Sequence, residues 1–228
     1  MSTHRTYRDA CRFAHALDLI GERWALLVVR ELLLGPKRFT DLRAGLPHAS
    51  PNVLSQRLRE LERAGVVLRR KLGPPAGSRV YELTEWGHEL EPIVTQLGRW
   101  GDRSPFPPRD VEIGIDAAVL ALRALFDSDA AADVTATYEL RLGDDRFRVV
   151  IAGSEMTLAR GRADKPEAII ETAPSTLAML VSHVRPLGEA LASGEVAIEG
   201  ATQAVVRFLD LFASPEPAPA PVPDPDPA

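Results

Sequence analysis

"SPNVLSQRLRELERAGVVLRR", residues 50–70, decides how the first half of this 228-residue chain is read. Ser50 is a strong N-cap and Pro51 suits the first helical turn, so a helix over 50–64 has a defined start. At about 100° per residue, Leu54, Leu58 and Leu61 stack on one face and should pack into a domain. The opposite face presents Asn52, Gln56, Arg59 and Arg63, with Ser55 and Arg57 flanking. Amide and guanidinium groups suit the major groove, because Asn or Gln can bond adenine twice and Arg can do the same at guanine. A solvated face with its arginines paired to Glu60 and Glu62 is the alternative.

The neighbouring residues favour nucleic acid. Between Gln56 and Arg79 stand seven basic residues (Arg57, Arg59, Arg63, Arg69, Arg70, Lys71 and Arg79) against two acidic ones. "VVLRRKL" alternates with period two, placing Val66, Leu68 and Leu72 on one face and Arg69 and Lys71 on the other. "GPPAGS" is a turn-rich loop and "RVYELT" a second short strand. Upstream, "CRFAHALDLIGERWALLVVRELLLGPKRF" has helical spacing with a break at Gly21 and a stop at Gly35-Pro36. A short helix opening at Thr40 precedes the one at Ser50, and Arg38 and Thr40 form a second phosphate-facing cluster at its free N–H groups. Thr84 caps a final helix whose Leu90, Ile93, Val94, Leu97 and Trp100 make one apolar stripe. Helix, helix, helix and a two-stranded hairpin with a basic loop is the order of a winged helix-turn-helix. Asn52, Ser55, Gln56 and Arg59 are expected at base edges, Arg57 at either base or phosphate, and Ser50, Arg69, Arg70, Lys71 and Arg79 in the same interface.

Charge divides the chain in two. Residues 1–103 hold 17 Lys and Arg against 12 Asp and Glu, and residues 104–228 hold 10 against 20. Halves of opposite sign are unlike partners for one ligand. "DRSPFPPRD" at the division cannot continue a helix through Pro105, Pro107 and Pro108. The expected organisation is a mainly α winged helix-turn-helix domain at 1–103, a Pro-rich linker at 104–110, an α+β domain at 111–213 and an extended, mobile Pro-rich tail at 214–228. No apolar run approaches the roughly 18 residues of a membrane span, and the start lacks an export h-region, so a cytoplasmic location is expected. The single cysteine, Cys11, excludes an intramolecular disulfide. The histidines have no metal-ligand spacing, and no G-x-S-x-G elbow or Walker-type loop occurs, so neither an enzyme nor a metal or cofactor site is expected.

The stretch beginning "CRFAHALDLIGERWALLVVRELLLGPKRFTDL", with "LSQRLRELE..G" and "Y.LT..G..L" after it, resembles the HxlR-type bacterial transcriptional regulators over about residues 8–102. Cys11 thirteen residues before Trp24 is part of the likeness. The resemblance implies a homodimer on double-stranded DNA, paired through terminal helices that include the stripe Leu90 to Trp100, with Phe13 and Leu17 adding to it; packing of the stripe inside its own domain is the alternative. Repression is the commoner mode in that family. It also implies a thiol-based sensing role for Cys11, for which a small buried residue of the first helix is the alternative.

In the second half "TATYELRL" puts Ala136, Tyr138, Leu140 and Leu142 on one face, "GDD" turns the chain, and "RFRVVIA" continues with Phe147, Val149 and Ile151. Further strands are expected at "MTLAR", "AIIET" and "VAIEG", and helices at "IDAAVLALRALF", "STLAMLVSHV" and "ATQAVVRFLDLF", giving an α+β layer with an antiparallel sheet. The order of pieces, above all "SGEVAIEG" before a closing apolar helix, resembles the sterol carrier protein-like domain. That resemblance implies a lipid or other apolar small-molecule effector, its pocket residues unspecified. The competing readings are a closed core that only dimerises or binds protein, and a lipid carrier whose first half makes protein contacts.

Overall fold

The computed structural model describes residues 6–73, 77–106 and 112–220. The chain divides into two compact units, one of residues 1–94 with 114–117 and one of 95–113 with 118–228.

The first unit opens with α1 (Arg12–Ile20), α2 (Ala25–Leu32), α3 (Phe39–Gly45) and α4 (Pro51–Arg63). At the start of α4 the Ser50 Oγ accepts the Val53 N–H at 3.3 Å. At its end Gly65 (φ +75°) lets Gly65 N–H reach the Glu62 carbonyl and Val66 N–H the Leu61 carbonyl. Those two bonds are a Schellman stop, which needs the left-handed conformation that glycine adopts without penalty. Leu54, Leu58 and Leu61 are all 1% exposed or less, as are Val28, Val29 and Leu32 of α2 and Leu42 of α3. Burying each such side chain contributes about 1.5–3 kcal/mol.

β1 (Val67–Lys71) and β2 (Arg79–Leu83) pair antiparallel, Val67 opposite Leu83 and Lys71 opposite Arg79. Lys37 adds a short third rung by exchanging backbone bonds with Tyr81 at 3.0 and 2.8 Å. Within this unit the Lys37 Nζ lies 2.6 Å from both Glu31 and Asp116, two carboxylates that are almost fully buried. The alternation expected over Val66 to Leu72 is not observed, apart from Leu72, which is half-buried next to the exposed Lys71. Val66 and Val67 are buried, whereas Leu68 is exposed together with Arg69, Arg70 and Lys71. A hairpin that projects beyond its core has no apolar side to turn toward. Residues 74–76 of the Gly/Pro loop lie outside the described residues.

The single helix expected after Thr84 is two, α5 (Glu85–His88) and α6 (Glu91–Asp102). Pro92 has no N–H to give the His88 carbonyl, so the ladder cannot run through. Thr84 Oγ1 accepts the Gly87 N–H at 2.9 Å and donates to the Gly65 carbonyl at 2.7 Å. A Cβ on Gly87 would stand 2.1 Å from the Val66 carbonyl oxygen. This close backbone approach is the physical content of "Y.LT..G..L".

The second unit contains α7 (Ile115–Leu125), apart from its first turn, then β3 (Thr135–Leu142), β4 (Asp145–Ala152), β5 (Glu155–Arg160) and β6 (Ala168–Thr172). α8 (Pro174–Val181), α9 (Leu187–Ala192), β7 (Val196–Gly200) and α10 (Thr202–Leu209) follow. The sheet order is β5-β4-β3-β6-β7. It is mixed rather than antiparallel, because β6 crosses back from the β5 edge and pairs parallel with β3, Tyr138 opposite Ala168. Tyr138, Leu140, Leu142, Phe147, Val149 and Ile151 are fully buried on one face, with Phe208 of α10 4.7 Å from the Tyr138 ring. On the other face Glu139 is also buried. Burial alone would raise its carboxyl, but the Ala163 N–H and the Arg141 and Arg146 guanidinium groups hold it below the ordinary value. α9 was absent from the sequence reading, being too short to show a periodic face. Of the tail, 214–220 is described and forms neither helix nor strand. It is pinned rather than free there, since Ala218 N–H donates to the Arg103 carbonyl at 2.7 Å and Arg103 Nε donates to that of Glu216 at 3.0 Å.

Gly87→Ala is expected to cost about 3 kcal/mol, since the clash is with backbone and cannot relax by a rotamer change. Thermal denaturation of the purified protein would show the first unit melting well below its normal temperature, while Gly73→Ala, with open space around it, leaves the melt in place.

Candidate nucleic-acid interface

The leucines of α4 decide which of its side chains reach solvent. Asn52 and Arg59 are exposed, and Ser55 and Gln56 are half-buried. Gln56 Nε2 donates to Glu60 Oε1 at 3.0 Å, so its amide is held rather than waiting. Ser50 remains exposed, with its hydroxyl occupied in the cap. Arg63, one turn past Arg59, is exposed as well.

Arg57 departs from the expectation. It is only 8% exposed, and its Nη1 lies 2.5 Å from Glu60 Oε2 and 3.5 Å from Glu22 Oε2. The shorter contact is the pairing with Glu60 along α4 that is the alternative reading of the sequence, and Glu22, at the α1–α2 junction, adds a second carboxylate that local spacing does not reveal. Arg57 thus ties α4 to that junction and is withdrawn from the surface that Asn52 and Arg59 present.

The wing contributes unevenly. Arg69, Arg70, Lys71 and Arg79 are all exposed. Arg70 makes a bidentate pair with Glu82 at 2.8 and 2.7 Å, and that hydrogen bond raises its pKa further above the ordinary value. Arg69 lies over the Tyr81 ring, 5.7 Å from its centroid. Lys71 and Arg79 face each other across the hairpin and make no ion pair among the described residues. Two like charges side by side are disfavoured unless an anion lies over them.

At α3 the cap is Arg38 rather than Thr40, which sits in the first turn. Asp41 Oδ2 accepts the Arg38 N–H at 3.0 Å, and Asp41 Oδ1 accepts the Thr40 hydroxyl. The helix start therefore carries its own carboxylate, and the free N–H groups expected there are partly taken. Arg38 and Thr40 remain exposed. Arg43 was not singled out from the sequence. It lies one turn beyond Thr40 and lines the same hollow of about 400 Å³ with Ala44 and Pro47, so the (i, i+3) spacing was the available signal.

α6 has no buried residue. Ile93, Leu97 and Trp100 are 53%, 49% and 73% exposed, Leu90 and Val94 are half-buried, and Phe13 on α1 is 71% exposed while Leu17 is half-buried. Cys11 is exposed at the start of α1, where the Ala14 and Phe13 backbone N–H groups hold its thiol below the ordinary value. Among the described residues no cluster of His, Cys, Asp and Glu could hold a metal ion, and no helix is long and apolar enough to cross a membrane.

Three helices, a capped fourth whose outer face carries Asn52 and Arg59, and a basic two-stranded hairpin define a winged helix-turn-helix unit. Residues 19–106 match the family described as HxlR-like helix-turn-helix. The chain is 43% identical over 90 residues to the HTH-type transcriptional regulator YvaP of Bacillus subtilis, covering 39% of this chain and 82% of that protein. It is 37% identical over 97 residues to YdeP of the same organism, covering 42% and 74%. With YodB, also from Bacillus subtilis, it shares 35% over 88 residues, covering 39% and 79%. The chain belongs to the HxlR-like helix-turn-helix family.

Proposed function

We propose that the chain is a transcriptional regulator that binds operator DNA as a homodimer, reading bases with the exposed side of α4 and gripping phosphate with the wing. The observation that carries this is the rotation of α4: its buried leucines leave Asn52 outward in the first turn, where base contacts are made in this class of motif, and Arg59 outward two turns further along the same face. Gln56 and Ser55 stand beside them, and Arg38, Thr40, Ser50, Arg69, Lys71 and Arg79 supply backbone contacts. Arg70 joins only by sharing itself with Glu82. One winged helix offers a small footprint, so two copies are needed for tight specific binding. The row Ile93, Leu97 and Trp100, with Phe13, supports pairing through α6 and α1. The family's commoner mode, repression, is carried over to this chain on the likeness alone.

The second unit is the sensing part in this reading. The order of its pieces and the strand "SGEVAIEG" leading into α10 support a sterol carrier protein-like domain with an apolar effector, rather than a catalytic function. The Tyr138 hydroxyl supports it too: it is buried in the apolar layer with no hydrogen-bond partner among the described residues. Such a group left unsatisfied costs about 1–3 kcal/mol, which an acceptor on a bound molecule would recover.

Fluorescence anisotropy with DNA from the protein's own upstream region tests the reading. Affinity should fall steeply as salt rises, because bound counterions are released from phosphate. Arg59→Ala should cost about 1–3 kcal/mol and relax sequence preference, whereas Lys71→Ala should lower the salt slope by about 1 at unchanged preference. Trp100→Glu should abolish pairing in sedimentation and lower affinity. Salt-independent binding, or wild-type affinity in Arg59→Ala with Asn52→Ala, would remove the assignment. For the effector, native mass spectrometry of protein from its own host should show an added apolar mass that is lost with residues 111–213. Repeated recovery of the bare chain would count against a lipid.

A further inference from the structure

The first unit carries a feature that DNA reading does not use. Between α1 and the corner where α5 meets α6 runs a groove of about 140 Å³. Its inner wall is Ala16, Leu19 and Ile20 on one side and Val66 and Leu90 on the other, all buried or half-buried. Trp86, 49% exposed, and Glu89, exposed, line the mouth together with Ile93. An enclosed apolar cavity of about this volume accepts a benzene-sized guest, and this groove offers comparable room with one side open to solvent.

The mouth decides the charge of that guest. Glu89 makes no hydrogen bond or ion pair through its carboxylate among the described residues, and Glu85 on the preceding turn has the same sign. A lone carboxylate at the edge of an apolar groove repels anions and attracts cations, and the indole face is the aromatic surface that holds an organic cation best. Trp86 and Glu89, three residues apart, present both groups to one opening. We propose that this groove is a binding site for a small lipophilic ammonium ion, its apolar body between α1 and Leu90 and its charged nitrogen at the mouth between Trp86 and Glu89.

The occupant bears on self-association. Leu90 and Ile93 belong both to the groove and to the stripe assigned to pairing, so filling the groove and pairing two copies are linked equilibria. The site itself does not depend on the DNA reading, because binding is measured on the free protein.

Benzylammonium and its uncharged analogue benzyl alcohol are the probes. They are titrated into the full chain at a concentration below self-association, with Trp fluorescence and the methyl resonances of Ala16 and Ile20 as readouts. Benzylammonium should saturate and shift both methyls, binding about tenfold tighter than the alcohol, as a charge-assisted contact with cation–π support implies. Glu89→Gln should remove most of that preference, leaving the part due to Trp86, with alcohol binding in place. Ala16→Phe, at a half-exposed position, should block both probes. Equal affinity of the two probes, or an unchanged preference in Glu89→Gln, would overturn the proposal. So would methyl shifts that follow protein concentration and ignore the probe, since the groove would then belong to a second copy of the chain.

Discussion

α4 packs on α2, with Leu54, Leu58 and Leu61 of the one and Val28, Val29 and Leu32 of the other all buried, and this contact sets what the rest of the first unit can do. It fixes the rotation of α4 about its own axis, and a helix turned by one residue would put Leu58 where Arg59 stands. The Ser50 cap and the Gly65 stop fix its length, so the exposed face begins and ends at set positions. The wing is anchored at its base by Val66, Val67, Val80 and Leu83, and no other apolar side chain of β1 or β2 is fully buried. A rigid helix beside an exposed basic hairpin combines a fixed surface for base edges with charges able to follow a phosphate backbone.

Much of this was legible in residues 50–70 because the signals there are local. A cap, a proline at the first turn and leucines at helical spacing each act within a few residues. What the sequence did not show depends on partners far along the chain. Arg57, held by Glu60 one turn on, also reaches Glu22 at the α1–α2 junction, and Glu139 accepts the Ala163 N–H from across the unit as well as pairing with its nearer neighbours Arg141 and Arg146. Leu68 broke the period-two pattern because alternation reports a strand lying on a core, and most of the wing has none. The break at Pro92 could have been read, since a proline cannot accept a place inside a continuous helix. The parallel pairing of β3 with β6 could not, because strand spacing is silent on which edge a returning strand joins.

The charge asymmetry gains a physical form from the two units. In the first, basic residues cluster on α4 and the wing, and the acidic ones are used inward: Glu22 and Glu60 on Arg57, Glu82 on Arg70, Glu31 and Asp116 on Lys37. Glu89, like Glu85 and Glu62, makes no such pair among the described residues, and it lies at the mouth of the groove. In the second unit Glu139 pairs with Arg141, and Glu189 and Glu195 with Arg185, while acidic residues outnumber basic ones two to one over 104–228, and the apolar layer buries the Tyr138 hydroxyl without a partner among the described residues.

Amide hydrogen exchange of the full chain, with and without the DNA it binds, tests the central claim most directly. The rotation of α4 and the exposure of the wing predict slowed exchange centred on residues 50–60 and the two wing strands, with a lesser effect at the start of α3 and β3 to β7 unchanged. Protection spread over the sheet of the second unit, or none on α4, would contradict the account.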